Sequence, residues 1–359
     1  MTIMKSVLKI LAVNTALLFA GILILELFLG EWFNTGRLNR LNIHKDREFR
    51  YDVSTLYEDP EPIITYSRDS HGLRGSHSTP GEVDILTVGG STTEQRLIRD
   101  GATWQDVLQE QFQQSGADAS IANAGVDGQS TYGHIKNFKW WFGDIPGLAP
   151  QYILFYVGVN DFHKEAGDKY DVLLEDFNLG QSIKDNSALW YLIRTIRGSY
   201  FARVKKLTHD AINFDALQWT QQPLQDSYDF MQPRLDAYAI RLLILADLSR
   251  EFGAEPIFVS QPTRHYRITT DSIEGHSNSG SYDGHEYNGV DYYHMIRQLD
   301  RVTEAVAREK NAIFVDLGNY TEWLDTDFYD YSHMTPQGAR KVGIILHQEL
   351  RNRVSFEGR

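Results

Sequence analysis

Short apolar segments that alternate with helical patterns are the feature that most constrains the fold of this chain. Five short segments read as buried strands, and most of them are rich in Val, Ile, Leu and Phe: residues 84–89, 119–123, 152–157, 256–260 and 312–316. Helical periodicity fills residues 103–115, 130–141, 233–252, 291–309 and 336–353. This alternation predicts an α/β fold built on a doubly wound parallel sheet with helices on both faces.

Side chains that can carry chemistry follow three of these strands. Ser91 follows the first strand, Asn160 the third, and Asp330 and His333 the fifth. Because residues just beyond the carboxyl ends of parallel strands converge on one crevice, we expect these side chains to meet. A nucleophile, an amide donor and a carboxylate–imidazole pair are the groups that attack an ester carbonyl and stabilise the resulting oxyanion.

Each of the first two signals also has a structural interpretation. Ser91 follows Gly89 and Gly90, and a serine in that position also suits a simple turn. Asn160 precedes Asp161, and Asn-Asp after a strand commonly forms an Asx turn or a helix N-cap. The order and the strand-end positions of the signals favour a common site over separate structural roles.

The last signal, the segment from Asp330 to His333, pairs a carboxylate with an imidazole. A carboxylate at Asp330 can bond one ring nitrogen of His333 and leave the other to accept a proton from a serine. Asp325 and Asp327 lie on the same loop and are alternative partners for His333. A surface loop with a solvated histidine is the structural alternative.

A glycine after the second strand completes the set. Gly128 lacks a side chain, so its backbone N–H can approach a ligand closely. A plain strand-to-helix turn is the alternative, and Gly125 precedes it as a second candidate.

In this order, the blocks resemble those of the SGNH (GDSL-like) hydrolase superfamily over roughly residues 80–355. The resemblance implies a flavodoxin-like sheet, with Ser91 as the nucleophile, His333 as general base and then general acid, and Asp330 as its orienting carboxylate. It implies an oxyanion hole formed by the N–H groups of Ser91 and Gly128 and by the Asn160 amide. It implies neither a metal nor an organic cofactor.

The chain departs from the family pattern at one position. Gly90 stands where the Gly-Asp-Ser block of the family has its aspartate. That aspartate is not a member of the catalytic triad, so the implied catalysis is unaffected, but inferences about substrate are weakened. Gly128 is preferred to Gly125 because the functional glycine of the family lies five residues after the asparagine of its block, here Asn123.

Composition excludes several other classes of protein. A net charge of −13 argues against a nucleic-acid partner, which would require a basic surface. The absence of cysteine excludes a disulfide framework, a thiol nucleophile and cysteine-ligated zinc. Four histidines lie close together in the sequence, but their spacing matches no usual metal site, so a loop facing solvent or substrate is favoured: His265, His276, His285 and His294.

The N-terminus indicates a membrane. Residues 1–30 contain an apolar run preceded by Lys5 and Lys9, and we interpret them as an uncleaved transmembrane signal anchor. A cleaved signal peptide and a buried core helix are the alternatives. The predicted topology is a single span with the catalytic domain on the extracytoplasmic side. Residues 31–80 are predicted to form a juxtamembrane stalk, and residues 81–359 the hydrolase domain.

A long insertion, residues 163–232, separates the third and fourth strands. Within it, residues 187–198 show a helical apolar stripe. Basic residues lie in the second half of this stretch and just after it: Arg194, Arg197, Arg203, Lys205 and Lys206. The pattern fits a lid helix that packs on the domain, or a helix that lies on an anionic membrane surface.

Together these features predict a membrane-anchored SGNH-type serine esterase. Its expected substrates are small-molecule or glycan esters, namely acyl esters, acetyl among them, of a cell-envelope carbohydrate or lipid. An acyltransferase that uses the same acyl-enzyme is one alternative. A catalytically silent envelope-assembly protein that retains the fold for binding is another, although the complete set of site residues argues against it.

Overall fold

A computed structural model gives the fold of the protein. It describes residues 2–30, 32, 38, 41–75, 79–165, 171, 179–190, 192–193, 196, 210–278 and 280–356. The chain divides into two compact units: a helical unit of residues 1–40 and 175–208, and a sheet unit of residues 41–174 and 209–359.

A five-stranded parallel sheet organises the sheet unit. Its strands are β3 (Ile85–Gly89), β4 (Ile121–Gly125), β5 (Tyr152–Val157), β7 (Glu255–Ser260) and β12 (Ile313–Val315). They are ordered β4-β3-β5-β7-β12. In chain order this is 2-1-3-4-5, the flavodoxin-like arrangement, whose ligand crevice lies where the order reverses between the first and third strands. The predicted sheet is therefore confirmed, and the crevice is expected beside the ends of β3 and β5.

Helices cover both faces of the sheet. They are α2 (Ser91–Glu94), α3 (Trp104–Gln114), α4 (Thr131–Trp140), α5 (Val159–Glu165), α7 (Gln232–Glu251), α8 (Gly289–Glu309) and α9 (Pro336–Leu350). Helices α3 and α9 pack together on one face, where Leu108 and Leu346 join the core formed by the strands. On the other face α4 and α8 each pack on α7, and Phe138 of α4 lies near Phe155 of β5.

Residues 41–75 belong to the sheet unit. The sequence had placed them in a juxtamembrane stalk of residues 31–80. They contain an antiparallel hairpin of β1 (Arg47–Asp52) and β2 (Ile63–Arg68). Side chains of Ile64, Tyr66 and Arg68 are buried. The polar, proline-containing sequence concealed this hairpin because its stability comes from contacts with distant residues. The sheet unit therefore begins near residue 41, and not at residue 81.

Short strands also occupy the segment of the four clustered histidines, which the sequence suggested was a loop. Strands β6 (Trp219–Thr220), β9 (Ile273–His276) and β8 (Tyr266–Ile268) form a small antiparallel sheet in that order. Strands β10 (Gly280–Tyr282) and β11 (His285–Tyr287) form a separate hairpin. This part of the chain is thus folded against the domain.

The helical unit contains α1 (Thr2–Leu29) and α6 (Leu179–Asn186). Residues Met4–Leu29 of α1 have a mean hydropathy of 2.3, and none of this span is buried. The helix is long and apolar enough to cross a membrane, although a signal sequence has the same properties. Residues 188–190, 192, 193 and 196 are also helical. The basic residues at positions 194, 197, 203, 205 and 206, on which the prediction of a membrane-surface helix depends, lie outside the described residues.

Candidate active site

Ser91, His333 and Asp330 form one hydrogen-bonded chain in the structure. The Oγ of Ser91 lies 2.7 Å from Nε2 of His333. The other ring nitrogen, Nδ1, lies 2.7 Å from Oδ2 and 3.0 Å from Oδ1 of Asp330. Oδ1 of Asp330 also accepts hydrogen bonds from the backbone N–H groups of Ser332 and His333, which fix the carboxylate relative to the ring. This arrangement allows the imidazole to accept the serine proton while the carboxylate holds the ring.

The two competing carboxylates of this loop are engaged elsewhere. Asp325 forms ion pairs with Arg264 and Arg267. Asp327 is fully buried and forms an ion pair with Lys341 at 3.0 Å. The structure therefore places Asp330, of the three candidates, at His333.

Asn160 and the chain after β4 meet beside Gly90, just before the serine. The Nδ2 of Asn160 donates to the backbone carbonyl of Gln129 at 2.6 Å. A Cβ on Gly90 would lie 2.0 Å from that Nδ2 and 2.9 Å from the Gln129 carbonyl oxygen. The ends of β3, β4 and β5 are thus in contact at this point, as the switch-point geometry requires.

The two candidate glycines occupy different environments. Gly125 lies in β4, where its N–H donates to Oδ1 of Asn123 and a Cβ would collide with the backbone of Glu94. Gly128 lies in the following turn with φ +73°, a backbone conformation that favours glycine. Its N–H has no hydrogen-bond partner among the residues that the structure describes. Of the two glycines, Gly128 is therefore the one whose N–H is not engaged by another described residue.

A buried ion-pair network holds the helix that carries Ser91. Glu94, at the end of α2, accepts hydrogen bonds from Arg68 at 2.8 Å and from the hydroxyl of Tyr66 at 2.5 Å. Its second oxygen accepts from the backbone N–H of Asp127, the residue before Gly128, at 2.9 Å. Burial raises the pKa of Glu94, but Arg68 and Arg96 outweigh it and lower this pKa to about 2. Sequence reasoning missed this network because Arg68 lies in the supposed stalk.

Gln261, at the end of the fourth strand of the sheet, is hydrogen-bonded to the residues next to Ser91 and Asn160. It follows β7 and is almost fully buried. Its Nε2 donates to Oγ1 of Thr92 at 2.6 Å, and its Oε1 accepts from the backbone N–H of Val159 at 2.8 Å. Gln261 therefore links the neighbours of Ser91 and Asn160. Its position just after a predicted strand was the only signal in the sequence.

Two of the four clustered histidines are buried beside the loop that carries Asp330 and His333. His265 and His276 are buried, and His265 stacks on Tyr331 at 4.5 Å and on Tyr292 at 4.0 Å. The prediction that they face solvent or substrate is wrong for these two, because the short strands fold them inwards. His285 and His294, which lies on α8, are both exposed. No group of three or more His, Asp or Glu residues suited to a metal ion occurs in the part of the chain that the structure describes.

An open cleft adjoins Ser91 and His333, with about 300 Å³ of empty space when the open solvent at its mouth is included. Its walls include apolar or aromatic side chains that come from three different segments: Leu97, Ile98, Tyr156, Tyr329 and Met334. The ring of Tyr329 stacks on that of His333 with centroids 5.7 Å apart. The cleft is thus small, largely apolar near the serine, and open to one side.

No family model matches the chain, and no curated protein matches it. Solved structures do. A GDSL-like lipase from Bacteroides thetaiotaomicron aligns at 13% identity and a TM-score of 0.40, over 78% of this chain and 93% of that one. A catalytic mutant of an acetylxylan esterase from Geobacillus stearothermophilus aligns at 14% identity and 0.41, over 77% and 95%. The esterase EstA from a Pseudoalteromonas species aligns at 11% identity and 0.41, over 75% and 97%. At these identities and TM-scores the similarities carry no functional conclusion.

Proposed function

We propose that this protein is an SGNH-type serine esterase that hydrolyses acyl esters through an acyl-enzyme on Ser91. The observation that carries the proposal is the continuous chain from the Ser91 hydroxyl through His333 to Asp330. A serine hydroxyl within hydrogen-bond distance of an oriented imidazole is the arrangement that activates a serine as a nucleophile.

In the first half of the reaction, Oγ of Ser91 attacks the ester carbonyl carbon while Nε2 of His333 accepts the hydroxyl proton. The N–H groups of Ser91 and Gly128 and the Asn160 amide stabilise the negative oxygen of the tetrahedral intermediate. Collapse of the intermediate breaks the bond to the alcohol oxygen, which leaves with the proton from His333. Asp330 orients the ring and stabilises its charged form throughout.

In the second half, water attacks the acyl-enzyme. His333 accepts a proton from the water, the new tetrahedral intermediate collapses, and Ser91 regains its proton from His333 as the carboxylic acid departs. No step in this sequence requires a metal or an organic cofactor. An alcohol in place of water would give acyl transfer by the same steps.

The size of the cleft supports a short acyl group. The about 300 Å³ beside Ser91 includes open solvent, so the space that the walls enclose is smaller than an ordinary ligand pocket. Leu97, Ile98 and Met334 offer an apolar wall to the acyl chain, whereas the open side offers room for a larger alcohol. Acetyl esters of a cell-envelope carbohydrate or lipid fit these requirements.

The proposed location is a membrane, with α1 as a single span and the sheet unit on the extracytoplasmic side. The support is the length and hydropathy of Met4–Leu29 and the two lysines that precede most of its apolar run. Under this proposal the substrate lies in the same compartment as the sheet unit.

Turnover of chromogenic esters tests the proposed activity. We expect hydrolysis of acetyl and butyryl esters to exceed that of long-chain esters, and Ser91→Ala to abolish it. Ser281→Ala, at an exposed position in β10, is the matched control and should retain the wild-type rate. Adding a sugar acceptor tests transfer: product distributed between water and sugar would identify an acyltransferase. No turnover with any ester would contradict the proposal.

A further inference from the structure

A carboxylate inside the apolar α1 helix is tied to a second helical segment of the chain. Glu26 lies one turn before the end of α1. Its two oxygens accept hydrogen bonds from the Ser187 hydroxyl at 2.7 Å and from the backbone N–H groups of Ala188 and Leu189, each at 3.0 Å. The indole N–H of Trp32 adds a fourth donor at 3.0 Å. A negative charge at the first turn of a helix is favourable, and these donors replace water around the carboxylate.

The segment that Glu26 holds presents apolar side chains that the described residues leave exposed. The segment, residues 187–196, is helical at every described position from 188 to 196. Side chains spaced as one helical stripe are exposed by 45, 54, 45 and 62%, respectively: Leu189, Leu192, Ile193 and Ile196. Trp190 is exposed by 41% as well. Large aliphatic side chains arranged in this way require an apolar environment.

The position of Glu26 indicates which environment that is. The part of α1 that follows Lys9, from Ile10 to Leu29, is about 30 Å long, which matches the thickness of the hydrocarbon core, so the last turn of α1 lies near the bilayer surface when this part spans it. Glu26 precedes the final residue of α1 by three positions, about 4.5 Å along the axis. The start of the 187–196 segment is hydrogen-bonded at that level, where interfacial amphipathic helices lie.

We propose that the segment of residues 187–196 lies in the bilayer interface beside the end of α1, with its apolar stripe in contact with lipid acyl chains. The hydrogen bonds that Glu26 accepts from the start of the segment hold it at this depth. The inference rests on the proposed anchoring by α1 and adds a second membrane contact, made by a segment far away in the sequence. The protein would then be held by a span and by an interfacial helix together.

The test uses the cysteine-free chain, in which single cysteines can be introduced and labelled without background. The full-length protein is reconstituted in phosphatidylcholine vesicles with a bimane label at Leu192→Cys or Ile196→Cys. Leu18→Cys in α1 is the lipid-exposed reference, and Asp229→Cys, exposed in the sheet unit, is the aqueous reference. Circular dichroism confirms that each labelled protein is folded. Quenching by doxyl-labelled phosphatidylcholine is compared with quenching by iodide.

We expect the labels at positions 192 and 196 to be quenched by doxyl lipid as strongly as the label at 18, and several-fold less by iodide than the label at 229. Glu26→Ala should lower the lipid quenching at 192, whereas Glu26→Gln, which can still accept hydrogen bonds, should retain most of it. Iodide quenching at 192 and 196 would overturn the inference, as would protection from both quenchers, which would mean that protein covers the stripe. Iodide quenching at 18 would instead overturn the anchoring itself.

Discussion

At the scale of single residues, the surroundings of Gly90 explain why glycine replaces the aspartate of the Gly-Asp-Ser pattern. Its φ of −88° is not in the left-handed region, so a positive φ is not what requires glycine here. The requirement is steric, because the Asn160 amide occupies the space that a Cβ would fill. The amide lies against the backbone of the residue that precedes Ser91, in a position that an aspartate at residue 90 would not permit.

Gly90→Ala should therefore displace Asn160 and lower kcat by about 10- to 100-fold, with a smaller effect on KM. The physical reason is loss of a positioned oxyanion donor, and deletion of such a donor costs roughly 10²–10³ in kcat. Asn160→Ala should show that larger loss, and the double variant should be no worse than Asn160→Ala alone. Gly81→Ala, where a Cβ meets its nearest atom at 3.6 Å, is the control. Full kcat in Gly90→Ala would show that Asn160 has no oxyanion role.

Single substitutions also distinguish Asp330 from Asp325 as the carboxylate that orients His333. Asp330→Asn should lower kcat by roughly 10³–10⁴, because an amide disfavours the ring tautomer that accepts the serine proton. Asp325→Asn should change kcat only a few-fold, since its partners are Arg264 and Arg267. Initial rates with an acetyl ester measure both. If Asp325→Asn were the more damaging change, the orienting role would belong to that carboxylate.

At the scale of elements, α2 is held from two sides by contacts that no local sequence pattern reveals. Arg68 of the N-terminal hairpin pairs with Glu94 on one side, and Gln261 bonds Thr92 on the other. A short helix of four residues has little stability of its own, so its position depends on these contacts. The hairpin and the end of β7 therefore determine where the Ser91 hydroxyl lies.

Removing one partner of the buried Arg68–Glu94 pair should destabilise the protein strongly. Arg68→Met leaves the buried Glu94 with only the partly exposed Arg96 as an ion-pair partner, so the loss should approach the about 3–5 kcal/mol in the free energy of unfolding that breaking a buried pair costs. Arg68→Met with Glu94→Gln should recover part of that loss because the charge is gone. Urea denaturation of both variants measures the effect. A protein lacking residues 1–80 should fail to fold for the same reason, whereas stable folding without the hairpin would refute its structural role.

Gln261 is expected to act as a positioning residue. Gln261→Leu removes both hydrogen bonds at similar volume and should lower kcat by about 10-fold or more while KM changes little. Gln261→Glu keeps the acceptor for the Val159 N–H and should lose less. Steady-state kinetics with a short-chain ester separate the two parameters. An unchanged kcat in Gln261→Leu, or an effect on KM alone, would limit Gln261 to packing or substrate binding.

At the scale of the whole molecule, buried histidines make stability depend on pH. Burial lowers the pKa of His134 to about 4, with Asp171 acting in the opposite direction, and burial likewise holds the pKa of His265 well below its ordinary value. The unfolded chain binds protons at these histidines near pH 6.5, whereas the folded chain does not. Stability is therefore lost as the pH falls below about 6.5, by up to about 1.4 kcal/mol per pH unit for each such histidine.

His265→Phe should reduce this acid-induced loss while keeping the ring stack on Tyr292 and Tyr331. The comparison is the free energy of unfolding in urea at about pH 7.5 and about pH 5.5. His285→Phe, at an exposed position stacked on Phe230, is the control and should leave the pH dependence unchanged. An equal loss of stability in wild type and His265→Phe would exclude His265 as a source.

The sequence predicted the parts of the molecule that local patterns determine. The strand predicted at residues 152–157 matches β5, and the helix predicted at 103–115 matches α3, which Thr103 caps by accepting from the Asp106 N–H. The strand-end positions of Ser91 and His333 brought the candidate site together because parallel strands end at one edge. The hairpin, Gln261 and the inward-facing His265 could not be predicted, since each depends on partners far away in the sequence.

Labelling of the native protein with a fluorophosphonate, followed by peptide mass spectrometry, tests whether Ser91 is an activated nucleophile. A serine activated by His333 should form a covalent phosphonyl adduct, so the account predicts modification at Ser91 and at no other serine. His333→Gln should slow labelling by roughly 10² or more, because the hydroxyl then has no base to accept its proton. An unmodified Ser91, an adduct at a different serine, or an equal rate of labelling in His333→Gln would contradict the account.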